Sequence, residues 1–384
     1  MNMATIKKYT KKDGSTAYMF QMYLGIDPLT GKERRTTKRG FKTQKEAKLA
    51  ASRLEHQVAK QGVPTQKQKI MTFGEIYDLF IPTYELDVKP STFATQEREY
   101  RNHVLPKFKE LKINKITPAY CQSIINEWRS EYKNFSNFIS LASKVFEFAV
   151  MLKQIDKNPL DAVKRPSQDK TPTKETPFFS KEELESFMKT LVNYDIHYQA
   201  MIRLIAYTGM RKGELLTLQW SDLDSENRAI SIKRTLAKDK NKNLIAQTPK
   251  TKASIRTIPI DEETYKLLNH WKVEQRKRLL ALGFNANNKD QLMFSNDENG
   301  FLYMDYPNYF LKNFLIENDL PYMTIHGLRH THCSILFEAG ATIKQVQVRL
   351  GHKNIKTTME IYAHVSKNKQ NETADMFAKY LKIN

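Results

Sequence analysis

Between residues 324 and 365 the chain gathers two imidazoles, a guanidinium and a phenol at spacings that chemistry can use. His326 and Arg329 are three apart, so a helix points both the same way. His352 sits in a Leu350-Gly351-His352 turn, where an amphipathic run (Ile343, Val346, Val348, Leu350) should stop, since glycine commonly terminates helices. Tyr362 follows shortly after, near enough to return to the same pocket. Upstream, Arg211 comes just after a glycine turn, Tyr207-Thr208-Gly209-Met210-Arg211, at the start of an apolar helix. Lys250 occupies a turn, Thr248-Pro249-Lys250-Thr251, ahead of a β-branched strand through Ile258. Such groups converging suit an anionic phosphate.

The elements that must position these residues are legible in outline. Ser180 and Glu183 form a capping box that opens a C-terminal domain at residues 176–384. A helix over residues 198–207 precedes Arg211, and residues 228–234 alternate as a strand. Residues 245–247 and 254–258 should complete one small antiparallel sheet with it. Pro259 and Asp261 stop the last strand and start a helix, and residues 306–316 read as another. Before this domain, residues 70–165 read as all-α. Thr72 caps a helix with Phe73, Ile76 and Phe80, Ser91 opens a second, Thr117-Pro118 a third, and residues 135–152 give a fourth. Residues 1–62 read as three short strands (6–9, 17–24, 34–40) and a helix capped by Thr43, with turns at residues 12–15 and 27–31. The expected fold is therefore multidomain: a small α+β unit, an all-α unit, and a mainly α domain with a small antiparallel sheet.

Composition narrows the function. The chain has 384 residues and a net charge of +20, and residues 1–70 alone carry 16 Lys/Arg against 5 Asp/Glu. That asymmetry, with aromatic and β-branched residues between the charges, argues for a nucleic-acid-binding module rather than a solvated tail. Tyr18, Phe20, Lys38 and Arg39 are its candidate DNA contacts, and Lys238 and Lys240 are candidates on the later sheet's loop. No stretch is long and apolar enough to cross a bilayer, the basic N-terminus lacks a secretion signal's apolar segment, and Cys121 and Cys333 form no paired framework. A cytoplasmic protein is expected.

Six residues in order, with their flanks, make the chain resemble the tyrosine site-specific recombinases, the phage integrase family: Arg211, Lys250, His326, Arg329, His352 and Tyr362. The first 62 residues look like the arm-type DNA-binding domain of integrases from Gram-positive temperate phages and conjugative transposons, and residues 70–165 match the family's core-binding domain in position. The resemblance implies a 3′-phosphotyrosyl bond and a free 5′-hydroxyl, integration and excision of a mobile element, and core-type and arm-type sites on double-stranded DNA. It further implies a tetramer on synapsed DNA, an excisionase and host DNA-bending protein as partners, and a bacterial, nucleoid-associated location. Within it Tyr362 is the nucleophile, Arg211 and Arg329 fork onto non-bridging oxygens, and Lys250 is the general acid. His326 accepts a proton near Tyr362, His352 donates to the phosphate, and Glu214 orients the site. The arginines are fixed cations, so no metal or other cofactor is expected. Alternatives remain beside these assignments: Tyr322 or Tyr380 for Tyr362, Lys252 for Lys250, and zinc at His326, His330, His332 and Cys333, against which Gly327 stands where a zincin has Glu. A type IB topoisomerase-like enzyme and an inert DNA-binding relative are the competing functions. The tail, with Met376, Phe377 and Leu381 at helical spacing, is read as a docking segment.

Overall fold

The computed structural model describes residues 4–26, 31–61, 70–166, 177–249 and 251–367. Lys250, part of the 27–31 turn, the 62–69 link, most of the linker after residue 164, and Tyr380 with nearly all of the docking tail lie outside those residues. Along the chain come a three-stranded antiparallel sheet with one helix, a helical stretch, and a mostly helical C-terminal portion with small sheets. The chain divides into two compact units. The first comprises Met1–Asp78, Phe108–Ser123 and Ser143–Val163; the second comprises Leu79–Lys107, Ile124–Ala142 and Lys164–Asn384. Among the described residues, no helix is long and apolar enough to cross a membrane.

In the first unit, strands β1 (Thr5–Thr10), β2 (Thr16–Ile26) and β3 (Glu33–Phe41) pair in order, and helix α1 (Gln44–Gln61) packs on one face. Thr43 Oγ1 accepts the Glu46 N–H at 3.1 Å, while the Glu46 carboxylate reaches back to the Lys42 N–H at 2.9 Å. Side-chain alternation then decides which residues the helix covers. Phe20 and Met22 are buried with Ala51, and Ile6, Leu24 and Phe41 pack against them. Phe20 stacks on Phe41 with ring centroids 5.7 Å apart.

This register corrects one of the four N-terminal DNA contacts expected from sequence, Phe20. Phe20 is 0 % exposed, a core side chain worth about 2 kcal/mol of burial. Tyr18, half-buried, lies opposite Phe41, and Lys38 lies opposite Phe20 yet stays exposed. Arg39 pairs with Met19 on the open face, together with Lys7, Gln21, Tyr23, Arg35 and Thr37. A bulge at Gly40, with φ +98, lets Arg39 and Phe41 keep opposite faces. Elsewhere in this unit Phe73, Phe108 and Phe146 form an aromatic cluster with centroids 5.1–5.8 Å apart. The Thr72–Glu75 capping box starts the Phe73–Asp87 helix.

In the second unit, Trp128 packs edge-on against Phe138, and the buried Tyr100 hydroxyl donates to the Leu141 carbonyl at 2.9 Å. Its largest core lies around the Ile196–Thr208 helix, whose Met201, Leu204 and Ile205 pack with Leu215, Ile230, Leu268, Phe314 and Leu328. The Ser180–Glu183 capping box is present, and Asp261 caps the Glu262–Ala281 helix through the Thr264 N–H. The strands depart from expectation. Ala229–Ile232 pairs with Leu223–Asp224 and Arg256–Pro259, whereas Leu244–Gln247 pairs with Thr235–Lys238 in a separate hairpin. Two small sheets replace the one expected because Asp239 folds the chain back. Its carboxylate accepts the N–H groups of Asn241 and Asn243.

Candidate active site

Three helix ends and one strand bring the charged groups together. Thr324 caps the Ile325–Glu338 helix by accepting the Gly327 N–H, so His326 and Arg329 fall in its first turns. The Ile196–Thr208 helix ends at Gly209 (φ +63) and the Ile343–Leu350 helix at Gly351 (φ +65), both left-handed. A Cβ at Gly209 would stand 2.6 Å from Leu350 Cδ2, and one at Gly351 2.9 Å from the Ala253 carbonyl oxygen. Glycine is required there on both counts. These turns aim Arg211 and His352 at the helix that bears Arg329.

Arg211, His326, Arg329 and His352 line one cavity of about 310 Å³, with His330, Lys353, Thr357 and Ile361. Arg329 is only 3 % exposed. Its guanidinium donates to the Gly209 carbonyl and, at 2.7 Å, to the Leu350 carbonyl, and among the described residues no carboxylate pairs with it. Burial first, and the neighbouring Arg211 next, push its pKa down to about 9. Arg211 donates to Glu214 Oε1 at 2.8 Å and to the Gly351 carbonyl at 3.3 Å, yet stays 40 % exposed toward the cavity. Burial and the same two arginines lower His326 and bring His352 to about 3; burial, then His326 and Arg329, bring His330 to about 4. At neutral pH the cavity thus presents two guanidinium cations and three neutral imidazoles, with Lys353 also in its lining. It is a positively charged recess that can accept an anion.

Tyr362 is the residue the structure does not bring into that cavity. Its helix, Ile355–Lys367, lines the recess through Thr357 and Ile361, while the Tyr362 ring packs edge-on against Phe337 at 5.1 Å and is 41 % exposed. Tyr322, the other described tyrosine considered, is 72 % exposed at a second cavity, of about 710 Å³, that Arg211, His326 and Arg329 also line. The neighbours of Lys250, Pro249 and Thr251, line a third, of about 660 Å³. Arg211, Glu214, Lys238 and Lys240 share its wall with Arg98 and Arg101. Lys238 also lies 4.6 Å from the Tyr303 ring, and Lys240 pairs with Glu85. Among the described residues, no three His, Cys, Asp or Glu side chains are placed to hold a metal ion.

Three residues outside the six expected from sequence take part. His330 faces the cavity beside His326, with ring centroids 4.8 Å apart. Arg256 and Arg349 lie behind it. Arg349 spans the Tyr207 carbonyl (3.0 Å), the Pro259 carbonyl (3.2 Å) and His332 Nε2 (3.0 Å). His332 therefore accepts at Nε2 and donates from Nδ1 to the Ala206 carbonyl at 3.0 Å, an arrangement only the neutral ring can make. Burial, then Arg349, push its pKa down to about 3. The unfolded value is about 6.5, so this contribution is complete above that pH and is lost as pH falls toward the folded value. Thermal midpoints are expected to drop between pH 7 and 5, where the unfolded chain binds more protons, and His332→Asn should flatten that limb in a fluorimetric melt series. An unchanged slope would show that His332 does not titrate with unfolding.

Comparison with known proteins identifies the family. The model of the phage integrase family matches residues 177–369, half of the chain, the N-terminal SAM-like domain of phage integrases matches 72–129, and an arm DNA-binding domain matches 5–58. The ICEBs1 integrase of Bacillus subtilis (strain 168) is 29 % identical over 374 residues, 95 % of this chain and 98 % of that protein. Among solved structures, a fragment of the Tn1549 transposon integrase in complex with a circular intermediate DNA superposes with a TM-score of 0.63 at 22 % identity. It covers 79 % of this chain and 99 % of that one. A lambda integrase tetramer bound to a Holliday junction gives 0.53 at 15 % identity, covering 92 % and 94 %.

Proposed function

The chain belongs to the phage integrase family, as a tyrosine recombinase of the conjugative-transposon and phage type, and from that premise we propose how its residues break and rejoin DNA. The observation that carries the reading is the single recess where Arg211, Arg329, His326 and His352 meet beside the helix that bears Tyr362. A scissile phosphate seated there is gripped by the two guanidiniums on its non-bridging oxygens. The Tyr362 phenol oxygen attacks phosphorus and gives its proton to neutral His326. The bond to the 5′ oxygen breaks, and Lys250 protonates that oxygen as it leaves. His352, whose Nδ1 is 2.9 Å from Thr358 Oγ1, presents its other nitrogen to the phosphate. Glu214 orients Arg211. Reversal by a 5′-hydroxyl of another strand completes exchange without a cofactor, because the phosphotyrosyl bond conserves the energy of the phosphodiester.

Residues 1–62 serve as the arm-type DNA-binding domain, 70–165 as the core-binding domain and 176–384 as the catalytic domain with a docking tail. In the first, Lys7, Gln21, Arg35, Thr37 and Arg39 on the open sheet face are the DNA-facing groups. The working complex is a tetramer on two synapsed duplexes that integrates and excises a mobile element. An excisionase and a host DNA-bending protein assist it on the bacterial nucleoid in the cytoplasm. A nicked suicide duplex carrying the element's junction tests this: the wild-type chain is expected to trap a covalent adduct and to recombine two intact duplexes in magnesium-free buffer with chelator. Supercoil relaxation with no exchanged product would favour the topoisomerase, and binding without an adduct would favour an inert relative.

A further inference from the structure

Arg256 lies on the Arg256–Pro259 strand with its side chain 5 % exposed, behind the recess and out of reach of any substrate in it. Its guanidinium forks onto both oxygens of Glu214, NH2 to Oε2 at 2.9 Å and NH1 to Oε1 at 3.2 Å. It also donates from Nε to the Arg349 carbonyl at 2.7 Å and from NH1 to the Ser254 carbonyl at 3.0 Å. The same two Glu214 oxygens accept from Arg211, Oε1 from its guanidinium and Oε2 from its backbone N–H. One buried carboxylate is therefore shared by two guanidiniums, one facing the cavity and one facing the interior.

The charge count decides what the inner one does. Glu214 and Arg211 alone form a neutral pair, and a buried neutral pair has little pull on an anion. With Arg256 the trio carries a net single positive charge, and only Arg211 can offer it to the cavity. Arg256 also sets geometry. A Cβ at Gly351 would lie 3.1 Å from Arg256 Cδ, so the arginine stem forms the wall against which the turn before His352 is built. Its Ser254 contact ties the segment just after Lys250 to that same frame.

We infer that Arg256 is a positioning residue of the strand-transfer site, balancing Glu214 so that Arg211 faces the phosphate as an uncompensated cation. This rests on the function proposed above, in which Arg211 grips the scissile phosphate. The test is single-turnover adduct formation on the nicked duplex at saturating DNA, with duplex affinity and thermal midpoint measured alongside. Arg256→Gln is expected to slow cleavage about 100-fold while shifting the DNA Kd less than about threefold. In an Arg211→Lys background, the same change should cost less than about threefold more, because it acts through Arg211. Arg256→Lys, which retains the charge and loses the fork, should fall between. A folded Arg256→Gln chain that cleaves at the wild-type rate would overturn the inference, as would losses that multiply in the double variant. If the Gln variant is unfolded at the assay temperature, Arg256→Met, which removes the charge and fills the stem's volume, decides, and full-rate cleavage by it counts against the role. Failure of the wild-type chain to form any adduct would instead sink the function itself, so the two failures are distinguishable.

Discussion

Tyr362→Phe is expected to bind junction DNA as the wild-type chain does and to form no covalent adduct, a loss of on the order of 10⁵-fold or more in cleavage. The substitution removes one oxygen from a ring that is 41 % exposed and packs edge-on against Phe337, and the ring contact survives the change. Its stability cost should be within about 0.5 kcal/mol. In the proposed complex binding rests on arginines and lysines elsewhere, so affinity and its salt dependence should hold. The other effect is all or none, because a covalent intermediate has no substitute once its nucleophile is gone. The competing tyrosine supplies the control: Tyr322 is exposed at a neighbouring cavity, and Tyr322→Phe should retain the adduct. Mass spectrometry of the trapped peptide names the attached residue. DNA linked to any side chain other than Tyr362 would contradict the assignment outright.

The placement of Tyr362 also shows where sequence reasoning stops. His326 and Arg329 were legible because a three-residue spacing on a helix fixes a shared direction, and Gly351 because a left-handed helix end favours glycine. Caps at Thr72, Ser180 and Asp261 were legible for the same local reason. What failed involves pairing at a distance. Arg256 alternates with exposed Ile255 and shares an inward face with buried Ile258, so its parity did signal burial. Its partner Glu214, 42 residues away, had no signal. In the N-terminal sheet the strands were right but Phe20 was misjudged as a DNA contact. Phe20 is buried against α1 while its cross-strand neighbour Lys38 stays exposed, and nothing in a run of aromatic and basic residues says which side the helix will cover.

Arg329→Met should reduce cleavage about 1,000-fold and lower the thermal midpoint, and the two losses have separate causes. The stability loss comes from the Gly209 and Leu350 carbonyls, which the guanidinium now satisfies inside the fold. Left without a donor, each costs about 1–3 kcal/mol, offset in part because Met fills the stem's volume and no buried cation remains to be desolvated. The catalytic loss comes from charge. Arg329 is the more deeply buried of the two guanidiniums in the recess, and the imidazoles beside it are neutral. Arg329→Lys separates the causes. An ammonium retains the charge but cannot hold two carbonyls and a phosphate in one plane, so cleavage should still fall about 100-fold. The imidazoles give an independent readout. Arg329 is the leading electrostatic cause, after burial, of the depressed His326 and His352 values. Removing it lets both rise toward the ordinary histidine range, and the acid limb of the residual pH–rate profile should move upward in Arg329→Met. In Arg329→Lys, where the charge stays, it should hardly move. If the limb stayed fixed in the Met variant, the imidazoles would not be under the control of Arg329, and its part in the site would be structural alone.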